Sequence, residues 1–166
     1  AGVGWLEAEF AALGVPFNER GRRMDEGIAL MRAVWSQDPV SFETRWIPAV
    51  VDNMRAQPLP EVPIPIWIGG GSDPAIARAL RHEGWHGSRV TPEKAGPIVQ
   101  RLRAARPDPA FTISLRTGCH AGTVDQMGET LAAYREAGVQ HVLVAPEDRD
   151  LEAYQSTIAA LARVMA

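Results

Sequence analysis

The chain has 166 residues, 46% of them apolar and 22% charged, with a formal net charge of −3 and a single cysteine. That is enough for one domain with a sizeable core, and scattered arginines with a slight negative charge exclude the clustered cationic surface that grips nucleic acid. Cys119 alone excludes an internal disulfide and a cysteine-based zinc site, which fits a reducing cytoplasm, and no apolar run reaches the roughly 18 residues that cross a bilayer.

The opening residues, Ala1-Gly-Val-Gly-Trp5, lack the basic and apolar regions of a secretion signal and lack an initiator Met. The chain is therefore expected to begin downstream of the start of its gene. After a loop-like stretch at Gly14–Asn18, Met24, Ile28, Met31 and Trp35 recur at helical spacing. From Asp38 to Pro63 periodicity is lost and five prolines intervene. Such a length without an element of its own reads as a lid, a binding loop or local disorder, and as the most mobile internal segment.

Pro63-Ile-Pro-Ile-Trp-Ile68 reads as a short buried strand running straight into Gly69-Gly-Gly-Ser72. A short helix follows, with Ile76 and Leu80 four apart. Trp85–Val90 is a further candidate strand. Thr91-Pro92-Glu93 then opens a helix with an N-cap residue, a first-position proline and a first-turn acid, whose apolar face holds Ile98, Val99 and Leu102; Pro97 lies inside it. Phe111–Thr117 alternates as a strand should. Thr123-Val-Asp-Gln126 has capping-box spacing ahead of a helix carrying Met127, Leu131 and Tyr134, and Gly138 stands where a helix end needs a positive φ. His141–Ala145 is the last strand, and Asp150 is placed to cap the last helix, with Tyr154, Ile158, Leu161 and Met165 on one face. Strands alternating with helices imply βαβ units and a parallel sheet. No linker divides residues 1–166, so one domain is expected. An open doubly wound sheet and part of an eight-stranded barrel both satisfy this order, and a complete barrel takes roughly 250 residues.

Three segments are candidates for chemistry. At Ile68-Gly-Gly-Gly-Ser-Asp-Pro74 a strand ends, glycines follow and a helix begins. Glycine lets backbone approach a ligand, and the helix start offers free amides to an anion. The plainer reading is a tight turn with Ser72 or Asp73 as N-cap. Arg20-Gly-Arg-Arg23 suits a bidentate grip on phosphate, or a solvated helix end with Arg22 or Arg23 paired to Glu26. In Gly84-Trp-His-Gly87, Trp85 and His86 stand beside glycines, either lining a planar ligand or as a core indole and a surface imidazole. His82, His120 and His141 show no metal-site spacing. Cys119 and His120 are adjacent on a strand and face opposite ways, which argues against a catalytic pair. Glu43, Asp52, Glu147 and Asp148 read as solvent-facing loop acids, and no group stands out as catalytic.

Gly2-Val-Gly-Trp5, Glu9-Phe-Ala-Ala-Leu-Gly-Val-Pro-Phe17 and Glu19-Arg-Gly-Arg-Arg-Met-Asp-Glu26 resemble segments of the luciferase-like monooxygenase superfamily. Trp35 with Asp38-Pro-Val-Ser-Phe42, Pro65-Ile-Trp-Ile-Gly-Gly70, and Gly84-Trp-His86 with Thr91-Pro-Glu93 are similar to its later segments, in the same order. The resemblance implies an α/β chain supplying the C-terminal part, about strands 4/5 to 8, of a (β/α)8 barrel. Gly2-Val-Gly4 would end the fourth strand, and the strands at Ile64, Trp85, Phe111 and His141 would be the fifth to eighth. It implies FMN or coenzyme F420 across the strand ends, with Gly69, Gly70, Gly71 and Ser72 on the cofactor phosphate, Arg22 or Arg23 helping, and Val3, Gly4 and Trp85 nearby. Glu83 stands where the family has Asp, and Trp46–Ala56 has no close counterpart. The function so implied is an oxidoreductase acting on a small molecule, without nucleic acid or membrane. The partner would be a second copy or the missing N-terminal half of the barrel. The alternatives are a non-catalytic barrel remnant that self-associates and an unrelated phosphate-ligand-binding module.

Overall fold

The computed structural model describes residues 1–164, which form two compact units: Gly2–Pro65, and Ile66 onward together with Ala1. Among the described residues no helix is long and apolar enough to cross a membrane. Met165, expected on the last helix, lies outside the described residues.

In the first unit, α1 (Glu7–Ala12) forms where only a sequence motif was evident. Glu7 and Glu9 sit in its first turn, where acids suit the helix dipole, and Phe10 meets Phe17 edge-on at 5.2 Å. A 3-10 turn (Phe17–Glu19) leads into α2 (Arg20–Val34), which buries Ile28 as the apolar spacing requires. The Asp38–Pro63 stretch is not structureless. β1 (Val40–Phe42) and β2 (Val51–Met54) pair antiparallel, with Val40 opposite Met54 and fully buried. Two strands of three and four residues without apolar alternation fall below what periodicity detects.

In the second unit, β3 (Trp67–Gly69), β4 (Gly84–Ser88), β5 (Thr112–Cys119) and β6 (His141–Pro146) form a sheet in that order, every neighbouring pair parallel. The helices α3 (Asp73–Ala79), α4 (Pro92–Ala105), α5 (Met127–Glu136) and α6 (Leu151–Val164) follow the strands in turn. This is the α/β fold with a parallel sheet that the alternation implies. β3 begins at Trp67, four residues after the start of the Pro63–Ile68 run. Pro63 and Pro65 have no N–H to give a ladder, and the Ile66 amide goes to the Glu83 carboxylate at 2.8 Å. Ala1 lies along β3's outer edge: its nitrogen is 2.5 Å from the Trp67 carbonyl, and its carbonyl accepts from the Gly69 amide at 2.7 Å. That is the bonding of one residue of a parallel neighbour flanking Ile68.

Helix ends largely follow local chemistry. Thr91 precedes Pro92 with extended backbone, Gly138 has φ +88°, and the Ala153 amide donates to Asp150 Oδ1 at 3.0 Å. Pro97 sits within α4 without ending it. The expected capping box at Thr123 does not form: its hydroxyl bonds back to His120, and Val124–Gln126 is a 3-10 turn ahead of α5.

Side chains alternate across the sheet. On one side lie Ile68, Trp85, Ile113 and Leu115, all buried, with Val142 and Val144 further along. Cys119, Val124, Met127 and Leu161 form a cluster with Val144 under α5 and α6. The Trp85 indole lies over position 87, where a Cβ would come within 2.4 Å of the ring, so only glycine fits there.

Candidate functional site

In parallel α/β structures the ends where strands give way to helices gather chemistry, because loops and helix N-termini converge there. After β3, Gly70 has φ +113°, and a Cβ on it would stand 3.0 Å from the Ala75 side chain. Gly71 has open space around it. Ser72 occupies the N-cap position of α3, but its side chain makes no capping bond, which leaves the hydroxyl on the turn's exposed side. Asp73 is engaged by Arg101 at 2.7 Å.

Trp85 belongs to this turn from behind. It is 0% exposed, and its Nε1 donates to the Gly70 carbonyl at 2.8 Å. The expectation that Trp85 lines a planar ligand is therefore corrected. Full burial withdraws its ring from any ligand, and its role is to hold the glycine turn in place.

In the first unit, Gly4 has φ +81°, and a Cβ there would collide with the Phe10 ring at 2.8 Å. Val3 is partly buried. Exposed Arg22 lies over the Trp46 ring, 4.8 Å from its centroid, while Arg23 pairs with Glu19 at 3.0 Å. Glu26, the expected partner of Arg22 or Arg23, is engaged by backbone amides. Its carboxylate accepts from the amides of Arg45, Trp46 and Ile47 at 2.6–3.1 Å. Desolvation pushes its carboxyl up, but those three amides and the Arg23 charge outweigh it and leave the group below the usual range. A helix acid thus pins the otherwise unpatterned Trp46 segment.

At the ends of β5 and β6 a cleft of about 440 Å³ is lined by Arg89, Thr117, Gly118, His120, Thr123 and Glu147, among others. The Glu147 carboxylate lies over Gly118, where a Cβ would come within 2.3 Å of it. Asp148, expected to face solvent, is a tie instead. It accepts from the Thr157 hydroxyl at 2.7 Å and the Ala121 amide at 3.2 Å, and the Thr157 bond above all holds its carboxyl low. Burial pushes the Cys119 thiol up, and the Asp148 and Glu147 charges add to that despite a contact with Thr123, so it is no ready nucleophile. Among the described residues no group of three or more His, Cys, Asp or Glu is placed to hold a metal ion.

Sequence reasoning overlooked a polar row on the sheet's other face. Gly69, His86, Ser114 and His141 stand opposite one another across the four strands. Ser114 Oγ lies 2.9 Å from His86 Nδ1 and 2.8 Å from His141 Nδ1. The Trp67 indole lies across Gly84 and meets the His141 ring at 5.4 Å. The signal available was two histidines and a serine at matching, outward-alternating positions of three strands, and it becomes visible only once the register is known.

The luciferase-like monooxygenase family model matches residues 1–121. An uncharacterised protein of Mycobacterium tuberculosis is 32% identical over 114 residues, 67% of this chain and 38% of that protein. An FMNH(2)-dependent dimethylsulfone monooxygenase of Pseudomonas putida is 32% identical over 108 residues, 61% of this chain and 30% of that protein. The match thus spans well under half the length of these curated relatives. Among solved structures, an F420-dependent secondary alcohol dehydrogenase in complex with an F420-acetone adduct shares the fold, with a TM-score of 0.70 and 15% identity over 96% of this chain and 68% of that one.

Proposed function

Because the chain belongs to the luciferase-like monooxygenase family, we propose that it is the C-terminal part of a (β/α)8 barrel, about strands 4/5 to 8, within an oxidoreductase. That enzyme would use FMN or coenzyme F420 on a small organic substrate. The observation that carries the reading is the family match running through a parallel sheet whose glycine turn leaves backbone and a hydroxyl open at a strand end.

Three features support the barrel. Ala1 bonds along β3 as the end of a preceding parallel strand would. The Trp67 and His141 rings meet across two intervening strands, a separation of about 14 Å in a flat sheet, in keeping with a sheet that curls toward that face. β6 has no partner on its outer side among the described residues, and a closed barrel leaves no such edge. The first strand of a complete barrel, or a second copy of this chain, would cover it.

Gly69, Gly70, Gly71 and Ser72 would hold the cofactor phosphate with backbone amides and one hydroxyl, with Trp85 fixing the turn. The fit is favourable: a left-handed glycine, open space at Gly71 and a Ser72 side chain not used as a cap. The bound cofactor would supply the redox chemistry, and the protein binding, orientation and water exclusion.

The test is spectroscopic. The purified chain, and a longer polypeptide that includes the upstream strands, are titrated with FMN and with F420 while the visible absorption and fluorescence are followed. Saturable uptake of one of them by the longer polypeptide is expected. Uptake of neither by either preparation overturns the reading in favour of a barrel remnant or an unrelated phosphate-binding module.

A further inference from the structure

The row across β4, β5 and β6 places a buried hydroxyl between two imidazoles. Ser114 is 0% exposed, and its Oγ is within hydrogen-bonding distance of Nδ1 on both His86 and His141. A serine hydroxyl has one hydrogen to give and two lone pairs to receive with. Between two neutral imidazoles it donates to one Nδ1 and accepts from the other. The two rings are then held in opposite tautomers, one protonated at Nδ1 and the other at Nε2.

We propose that His86, Ser114 and His141 form a one-proton relay on this face of the sheet, serving the hydroxyl or carbonyl oxygen of a small substrate. Its use in catalysis rests on the oxidoreductase reading above; the relay itself rests only on the row. In the forward step a proton binds Nε2 of His86. The Nδ1 hydrogen of that ring passes to Ser114 Oγ, and the Ser114 hydrogen passes to Nδ1 of His141. His86 is left neutral with its hydrogen on Nε2, and His141 becomes the imidazolium. One N–H and one O–H bond break as one O–H and one N–H form. The charge moves from ring to ring, and His141 can then release its Nε2 proton to the exposed side. The reverse sequence runs through the same atoms.

The surroundings favour a single proton. Among the described residues, the groups flanking the row on this face are cationic or neutral: Arg116 from the next row of β5, Ser88 on β4, Leu143 on β6, and Trp67 and Gly69 on β3. An acid of this face, Glu147, lies over Gly118 toward the strand ends. Burial first, then the charges of His141 and Arg116, lower the affinity of His86 for a proton. Two imidazolium rings would both donate to Ser114 and leave its hydrogen without either acceptor. The row therefore accommodates one added proton more readily than two. His141 lies beyond residue 121, outside the stretch matched by the family model.

The experiment is long-range ¹H–¹⁵N NMR of the imidazoles in the 166-residue chain across neutral pH, with the four histidines assigned by His86→Gln and His141→Gln. In the unsubstituted chain, at a pH where both rings are neutral, the fractions of Nδ1–H on His86 and His141 are expected to sum to one, and a second proton should enter the pair only at markedly lower pH. Ser114→Ala should abolish that complementarity and let both rings settle toward the Nε2–H form, while Ser114→Thr, which keeps the hydroxyl, should preserve it. Two rings that are both mainly Nε2–H, titrating independently in the unsubstituted chain, overturn the relay, and that result requires no variant to fold. No cofactor is present in the measurement. Its failure therefore leaves the oxidoreductase reading standing, and failure of cofactor uptake leaves the relay standing.

Discussion

On one side of the β3–β6 sheet, Ile68, Trp85, Ile113 and Leu115 are sealed from water, and even the indole N–H of Trp85 has its acceptor in Gly70. One residue along each strand, the other side carries Trp67, His86, Ser114, Arg116, His141 and Leu143, of which only Ser114 is fully buried. The same four strands supply both sets, because successive side chains alternate. The covered side holds the fold together by removing apolar area from water. The other side keeps polar groups in hydrogen-bonded register but leaves Leu143 45% exposed, as a surface awaiting a lining would be. Apolar burial and polar hydrogen bonding are thus divided between the two faces of one sheet.

The sharpest way to break this comparison is Trp85→Ala. It removes the largest fully buried side chain, and urea unfolding should show a loss of about 3–5 kcal/mol. A loss no greater than that of a substitution on the open face would mean the covered face is not what carries stability. Ser72→Asp tests the turn that Trp85 supports. A carboxylate facing a cofactor phosphate should weaken binding by about 2 kcal/mol, roughly thirtyfold, with unfolding unchanged; undiminished affinity removes Ser72 from the site.

The covered side also has a polar tie with a defined pH dependence. The folded chain holds the Asp148 carboxyl below its ordinary value, chiefly through Thr157. Its contribution is therefore fully present above the ordinary carboxylate range and is lost as pH falls through the lowered value. Asp148→Asn should lower the melting temperature at neutral pH, and the gap between variant and parent should close on acidification below about pH 4. A gap that is constant with pH would show that the carboxylate charge is not involved. The smallest effect is expected from Leu143→Ser. An exposed side chain on the open face should change the unfolding free energy of this chain by no more than about 0.5 kcal/mol. A larger loss would show that this face is already covered, for instance by self-association.

What the sequence determined by itself was the alternation of elements and hence the parallel sheet. Apolar runs and helix-capping residues are local signals, and Thr91-Pro92, Gly138 and Asp150 mark helix ends through contacts only a few residues long. The glycine turn after β3 was legible for the same reason, since Gly70's positive φ is a local need. Tertiary structure alone decided the rest. The β1–β2 hairpin arises because distant pairing overrides weak local preference. Glu26 finds the amides of Arg45–Ile47 19 to 21 residues away, and Trp85 was assigned to the core rather than to a ligand by the packing around it. The His86–Ser114–His141 row spans 55 residues of sequence and exists only because three strands pair in one register. Register is set by which side chains must be buried together, a property no single stretch of the chain carries.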